Sequence, residues 1–295
     1  MENEDEFAAV MRIRNTIDYK VNSNIPIEIE EIYFRCDQYT LSACANVDEC
    51  KNVYYNRLFI HQDAPDELIE YSKPNEGDFE RMVEEWGTIS NTNQIPGTLE
   101  HASSKETKQE IKSLKKEGLT ENLFNEKYFK LIAFSRFRYG IIKRIFDLRI
   151  KSDKYLLKLN GFEIELDYES YAHIITRHYG EIMKGYATQR DYFYDVFHPE
   201  KFHQDFELLF TTIDQSGLFK NDPIQEINFR FAGIIYRIYV EVGKTRSVAG
   251  KSQPEIYNRL STFYPLSATM RNELLSECDE KHISPVLCVF TNKII

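Results

Sequence analysis

The chain has 295 residues, of which 42% are hydrophobic and 14% aromatic, so it can bury one large core or two smaller ones. It contains no run of about 18 uncharged apolar residues, and we therefore expect no membrane-spanning helix. The first residues, MENEDEF, lack the basic and then apolar pattern of a secretory signal peptide. The five cysteines form no CxxC pair, and their odd number favours a reducing compartment over a disulfide framework. These features predict a cytoplasmic protein.

The net charge of −10 is unevenly distributed. The first hundred residues hold 21 acidic against 8 basic side chains, and the remaining residues hold 26 against 29. Within the second part, the segment 126–160 carries ten Lys and Arg residues against three acidic ones. A basic stripe can neutralise phosphates, and an acidic region can mask it or steer partners. Solvated helix faces with a chance clustering of charge would give the same pattern, so both interpretations stay open.

The acidic region predicts a separate mixed α/β domain over residues 1–100. Segments 25–34 and 53–60 combine alternation with β-branched and aromatic residues, which predicts strands. Segment 63–86 has apolar residues at three- and four-residue spacing, typical of one or two short helices. Segment 88–104 is rich in Ser, Thr and Asn and contains a Pro-Gly pair, so we expect a linker there.

Residues 101–140 form a predicted helical stretch between the two domains. A charged helix should begin at Ser103 or Ser104 and stop at Gly118. A second helix or helix pair over 119–139 interleaves aromatic with basic residues. That interleaving can serve nucleic acids by combining stacking with phosphate contacts, although core packing by the aromatic residues is the simpler explanation.

The C-terminal part, 141–295, predicts an α+β fold in which helices pack on a twisted antiparallel sheet. Short strands are expected over 141–150 and on both sides of Asn160-Gly161, the strongest hairpin signal in the chain. Residues 227–242 should form two adjacent strands or one long strand that bends at Gly233. Further strands are expected over 257–267 and at the C-terminus, with a helix over 268–278. An aromatic-rich segment, 192–210, contains His203.

A predicted amphipathic helix over 167–185 carries two histidines and an arginine within six residues, with Asp167 as its N-cap. A turn of about 100° per residue puts His173 and Arg177 together on the polar side. His178 falls among isoleucines on the other side. The two histidines are therefore expected to have different roles.

The chemistry suggested by this helix is acid/base catalysis without a cofactor or metal. The chain has no GxGxxG, P-loop, GxSxG or HExxH motif. His173 and His178 are five residues apart, which a helix turns by about 140°, so they are poorly spaced for one metal ion. A histidine beside an arginine suits RNA cleavage, in which the 2′-OH attacks the neighbouring phosphate. Histidine moves the proton near neutral pH, and arginine stabilises the phosphorane charge.

Two motifs in the C-terminal half carry a family resemblance: the helix sequence AHIITRH and the later strand sequence RLSTFYPL. Their order, after a hairpin and with strands between them, resembles the barnase/EndoU/colicin-tRNase/RelE superfamily of metal-independent nucleases, particularly the members found in phage proteins and toxins. The resemblance implies a helix or two packed on a twisted antiparallel sheet whose open face holds the site. Matching positions imply these site residues: His173, Arg177, His178, Arg259, Ser261, Thr262 and Tyr264.

The residues and the resemblance together predict an endoribonuclease, a toxin or anti-phage effector. Its partners would be RNA and an inhibitory or trigger protein bound through the acidic domain. One alternative is a non-catalytic nucleic-acid- or protein-binding regulator that kept the nuclease-like fold. DNA cleavage is a third option, and it would need a metal or covalent route because DNA lacks the 2′-OH.

Overall fold

The computed structural model describes residues 77–178, 197, 199–219, 225–247 and 252–292. The strands predicted over 25–34 and 53–60, and the helix residues beyond His178, lie outside this range. The chain divides into two compact units. One comprises residues 1–145 and 181–188 and is called the helical unit here; the other comprises 146–180 and 189–295 and is called the sheet unit.

The described part of the helical unit consists of three mutually packed helices. They are α1 (Asp78–Asn91), α2 (Leu99–Lys115) and α3 (Glu121–Ile145). Their apolar faces meet around Trp86, Ile111, Leu114 and Ile132, each at most 5% exposed. The predicted linker over 88–104 is wrong, because α1 and α2 enter it from both ends and leave only a short turn between them.

The start of α2 also differs from the prediction. Thr98, not Ser103 or Ser104, caps this helix, and its side chain accepts a hydrogen bond from the His101 amide at 3.2 Å. Ser103 and Ser104 lie one turn further along and are buried inside the unit. A cap needs a residue outside the helical backbone conformation, and Thr98 has the extended φ and ψ that satisfy this requirement.

Helix α3 continues through the segment that was predicted as a strand. Residues 141–145 are its last turn, and Phe146–Ile150 form a π-helical turn. The β-branched residues that suggested a strand are instead buried at helical spacing, since Ile142 and Ile145 are both about 1% exposed. Burial against neighbouring elements outweighs the weak β-propensity of isoleucine.

The sheet unit is built from seven strands and three α-helices within its described residues. In chain order they are β1 (Lys154–Leu159), β2 (Phe162–Asp167), α4 (Tyr168–His178), α5 (Phe202–Ser216), β3 (Glu226–Phe231), β4 (Ile234–Arg246), β5 (Glu255–Pro265), α6 (Ala268–Glu277), β6 (Cys278–His282) and β7 (Leu287–Asn292). The α+β class is confirmed for the described residues, as is the predicted hairpin at Asn160-Gly161, and β3 and β4 form a second hairpin at Gly233. Each hairpin turns through two residues with positive φ, Asn160-Gly161 and Ala232-Gly233.

The strand order is β1-β2-β5-β4-β3-β7-β6, and the sheet is antiparallel except between β2 and β5. The predicted antiparallel sheet is therefore confirmed for the other pairings of the described strands and wrong at this junction. Here β2 and β5 run parallel and are in register only at Glu165 and Arg259. Strand β6 and helix α5 were not predicted as elements.

The two faces of the central strands differ in character. Phe263 on β5 and Ile238 on β4 lie opposite each other and face the buried aromatic residues Phe202 and Phe206 of α5. Since neighbouring residues of a strand point to opposite faces, Tyr264, Thr262 and Arg237 belong to the second face. We call this second face the polar face.

No helix in the described ranges combines the length and the apolar character needed to cross a bilayer.

Candidate functional site

Helix α4 begins where the sequence predicted, because Asp167 ends β2 and caps the helix. Its Oδ1 accepts a hydrogen bond from the Ser170 amide at 2.9 Å and another from the Ser170 hydroxyl at 3.0 Å. These two bonds explain why Ser170 is fully buried although its position assigned it to the polar side of the helix.

The buried side of α4 follows the predicted spacing except at His178, which was expected among the isoleucines but is only half-buried. Tyr171, Ile174 and Ile175 are fully buried, and the Tyr171 ring packs edge-on against Phe146 with centroids 5.1 Å apart. His173 and Arg177 are half-buried. The helix is thus fixed by its apolar side, and the histidine and arginine lie on the side that remains partly open.

His178 connects α4 to β5. Its ring stacks on the Tyr264 ring with centroids 4.7 Å apart and an interplanar angle of 20°. The same ring meets His173 edge-to-face, with centroids 5.6 Å apart. We call His173, His178 and Tyr264 the histidine cluster. Residues from the two motifs, separated by about 80 positions in the sequence, therefore meet in the fold.

Arg259 belongs to a different environment. The residue is 7% exposed, and its guanidinium forms ion pairs with Asp167 at 3.0 Å and with Glu169 at 2.7 Å. It also donates a 2.6 Å hydrogen bond to the Tyr257 hydroxyl. Burial works against the charged form of Arg259, but the attraction of Asp167 and Glu169 outweighs it and raises the pKa. Each of the three guanidinium nitrogens thus donates to one of these groups, so Arg259 anchors the first turn of α4 to β5.

Ser261 and Thr262 lie between Arg259 and the cluster. The pairing of β5 with β4 shifts by one residue at Ser261, so this residue forms a bulge. Thr262 lies opposite Tyr239, and its hydroxyl is buried with no hydrogen-bond partner among the described groups. Neither hydroxyl is part of the histidine cluster.

Arg237 is a cation near the cluster that the sequence reasoning missed. It lies directly opposite Tyr264 in the β4–β5 pairing, on the polar face. Its guanidinium donates to Asn228 at 2.8 Å and pairs with Glu226 at 3.1 Å. In β4 the polar residues Arg237 and Glu241 alternate with the buried Ile238 and Val240, so the sequence indicates that Arg237 lies on the polar face. Only the register shows that it lies opposite Tyr264.

A cysteine–histidine pair also escaped the sequence reasoning. The Cys288 Sγ lies 3.0 Å from His282 Nδ1, across the β6–β7 pair. Burial, together with the nearby Glu280 carboxylate, raises the pKa of the Cys288 thiol. Because the thiolate is the reactive form of cysteine, this pair is poorly suited to nucleophilic catalysis.

No protein-family model, curated protein or solved structure matches this chain.

Proposed function

We propose that the sheet unit is a metal-independent endoribonuclease that cleaves RNA by attack of the 2′-OH on the adjacent phosphate. The observation that carries the proposal is the contact of one ring, His178, with both His173 on the helix and Tyr264 on the strand. This contact brings a proton-transfer group and a hydroxyl to one partly open place, as the reaction requires.

In the proposed mechanism, His173 takes the proton from the 2′-OH. Arg177, one helical turn further along, binds the phosphate and stabilises its developing negative charge. As the 2′-oxygen bonds to phosphorus and the bond to the 5′-oxygen breaks, the Tyr264 hydroxyl gives its proton to the leaving 5′-oxygen. The protonated His173 and the deprotonated Tyr264 then return to their starting states by proton exchange with water. His178 keeps the ring of Tyr264 and that of His173 in position.

Arg259 receives a positioning role in this mechanism. Its guanidinium is held by Asp167, Glu169 and Tyr257, so a phosphate would have to displace carboxylates that already bind it. By anchoring the start of α4 to β5, it fixes the distance between the helix that carries His173 and the strand that carries Tyr264. Ser261 and Thr262 support the shape of β5 at the bulge.

The test uses the full chain, single-stranded RNA and EDTA. The proposal expects products that end in a 2′,3′-cyclic phosphate, and no cleavage of the same oligonucleotide made with 2′-deoxyribose. His173→Ala should lower the rate by about 10²–10⁴-fold, the usual contribution of a proton-transfer group. Tyr264→Phe keeps the ring that stacks on His178 and should cost on the order of 10²-fold, as for removal of a proton donor to the leaving oxygen.

The matched control is His282→Ala, which removes a histidine from the exposed strand β6 of the same sheet. Its rate should remain within about twofold of wild type. The proposal fails if the wild type releases no cyclic phosphate, or if His173→Ala and His282→Ala cleave equally well.

We further propose that this activity belongs to a toxin or anti-phage effector, with the acidic residues 1–100 restraining the nuclease or binding a trigger protein. The support is the charge contrast between the first hundred residues and the rest of the chain. Expression of wild type should arrest growth and degrade RNA in cells, whereas His173→Ala should do neither. Equal growth of cells that express wild type and His173→Ala would contradict the toxin or effector role.

One alternative function has specific support. The carboxylate-bound Arg259 and the buried Thr262 hydroxyl suit a protein that kept the fold without catalysis and binds nucleic acid or a protein partner. Such a protein would retain RNA in a binding assay and leave it uncut, with equal affinity for wild type and His173→Ala.

A further inference from the structure

Helix α6 and strands β6 and β7 follow the RLSTFYPL strand and build a cavity on the polar face. The cavity has a volume of about 560 Å³. Its walls come from α6, from β7, from the central strands β3 and β4 and from the turn that follows α5. Without the last 30 residues of the chain the sheet would end at β3, and this cavity would have no outer wall.

The cavity adjoins the histidine cluster through Tyr264. The Tyr264 ring stacks on His178 and also packs against the apolar group Ile235, Leu266, Leu274 and Phe290, of which Leu274 and Phe290 line the cavity. Arg237, which also lines it, lies directly opposite Tyr264, a pairing in which Cα atoms are about 4.5–5.5 Å apart. Tyr264 is not itself a lining residue, but it contacts lining residues on one side and His178 on the other.

The charge of the cavity wall selects against anions. Of the described residues that line it, three are carboxylates, Glu226, Glu273 and Glu277, and one is a cation, Arg237. The Arg237 guanidinium is already neutralised by Glu226 and hydrogen-bonded to Asn228. Glu273 and Glu277 are exposed at the cavity rim and lie four residues apart, hence on one side of α6. The wall thus offers acceptors to a ligand that carries hydrogen-bond donors.

The remaining lining is apolar and suits a flat ring. Phe219, Met270, Leu274 and Phe290 contribute apolar side chains beside the polar ones. Stacking on an aromatic side chain is worth about 1–3 kcal/mol per nucleobase. A nucleobase with an exocyclic amino group combines a flat apolar face with an edge that donates hydrogen bonds to carboxylates.

We propose that this cavity binds an amino-bearing nucleobase, that of adenosine, cytidine or guanosine, on the nucleotide next to the phosphate held at the histidine cluster. The inference rests on the proposed nuclease function for its substrate. The charges divide the two roles, because the carboxylates of the cavity repel phosphate while Arg177, on the helix that carries His173, attracts it. Uracil, which has no amino group, is the base that this cavity disfavours.

The experiment measures nucleoside binding and cleavage separately on the full chain. Isothermal titration with adenosine, cytidine, guanosine and uridine should give at least one amino-bearing nucleoside that binds about tenfold or more tightly than uridine. Glu273→Ala combined with Glu277→Ala should remove this preference. Alanine is a favourable helix residue and both positions are exposed, so α6 should stay folded. Glu163→Ala, at an exposed position on β2, is the control and should keep the preference.

The outcomes separate the two proposals. Equal binding of uridine and the amino-bearing nucleosides, no binding at all, or a preference that survives the double alanine variant would overturn the cavity inference. If such a result accompanies cleavage that depends on His173, the nuclease proposal stands alone. A preference that depends on Glu273 and Glu277 in a protein that cuts no RNA would keep the nucleobase cavity and reject the nuclease.

Discussion

Replacement of Arg259 by methionine tests whether this arginine is an anchor of α4 or a phosphate ligand. Arg259→Met removes the charge and keeps most of the buried length. Breaking a buried ion pair from one side costs about 3–5 kcal/mol. The side chains of Asp167 and Glu169 are 15% and 21% exposed, so water can partly rehydrate them, and we expect the lower end, about 3 kcal/mol.

Arg259→Lys refines the test, because it keeps the charge but loses the fork of donors. One ammonium cannot reproduce the separate bonds from Nε, Nη1 and Nη2 to Asp167, Glu169 and Tyr257. Losing part of a charged hydrogen-bond set costs about 1.5–3 kcal/mol. A phosphate ligand would behave differently, since lysine is itself a good phosphate-binding residue.

The assay is urea denaturation of the full chain, followed by far-ultraviolet circular dichroism. Trp86, the single tryptophan, lies in the core of the helical unit, so its fluorescence reports that unit separately. Arg271→Met, at an exposed position on α6, is the control and should change the free energy of unfolding by less than about 0.5 kcal/mol. An Arg259→Met variant as stable as this control would refute the anchoring role.

Three further predictions concern stability. Glu110→Gln should lower the free energy of unfolding by about 3–5 kcal/mol, because it leaves the buried Arg138 guanidinium, which lies 2.6 Å from the Glu110 carboxylate, without an opposite charge. Urea titrations followed by Trp86 fluorescence measure the loss, and combining the change with Arg138→Met should recover most of it. Burial raises the pKa of Asp205 from 3.8 to about 6, so between these pH values the folded state binds a proton that the unfolded state has released, and the stability of the fold falls as the pH rises. Asp205→Asn should therefore flatten the fall in melting temperature between pH 4 and 6. An unchanged slope would contradict the pKa shift. Gly161→Ala should lower the free energy of unfolding by about 1 kcal/mol, because alanine disfavours the φ of +76° at this position. The added Cβ itself causes no clash, since nothing lies within 4 Å of it. A melting temperature equal to that of wild type would exclude backbone strain at this turn.

Short-range patterns predicted the elements around the candidate site well. Asn160-Gly161 specifies a two-residue hairpin because both positions need a positive φ. Asp167 specifies the start of α4 because a carboxylate at this position accepts the free amide of Ser170. Both depend only on residues close together in the chain, and the sequence therefore contains all the information that they require.

The segment 141–150 shows where such patterns fail. Its isoleucines fit a strand or a buried helix equally well, and periodicity over so few residues does not separate the two. The packing partners of Ile142 and Ile145 decide the outcome, and those partners are known only from the fold. The prediction of the α2 cap failed for a similar reason. Several Ser and Thr residues offer a hydroxyl, and only the fold shows that Thr98 has the extended backbone conformation that a cap requires.

The sequence by itself determined the helix with His173, Arg177 and His178 and the strand with Tyr264, because helical and strand periodicity are local properties. Only the tertiary structure decided that His178 stacks on Tyr264, that Arg259 is enclosed by Asp167 and Glu169, and that Arg237 lies beside a cavity. These contacts depend on strand order and register. A shift of one residue in the β4–β5 pairing would turn Tyr264 away from Arg237 and His178, and no local signal records that choice.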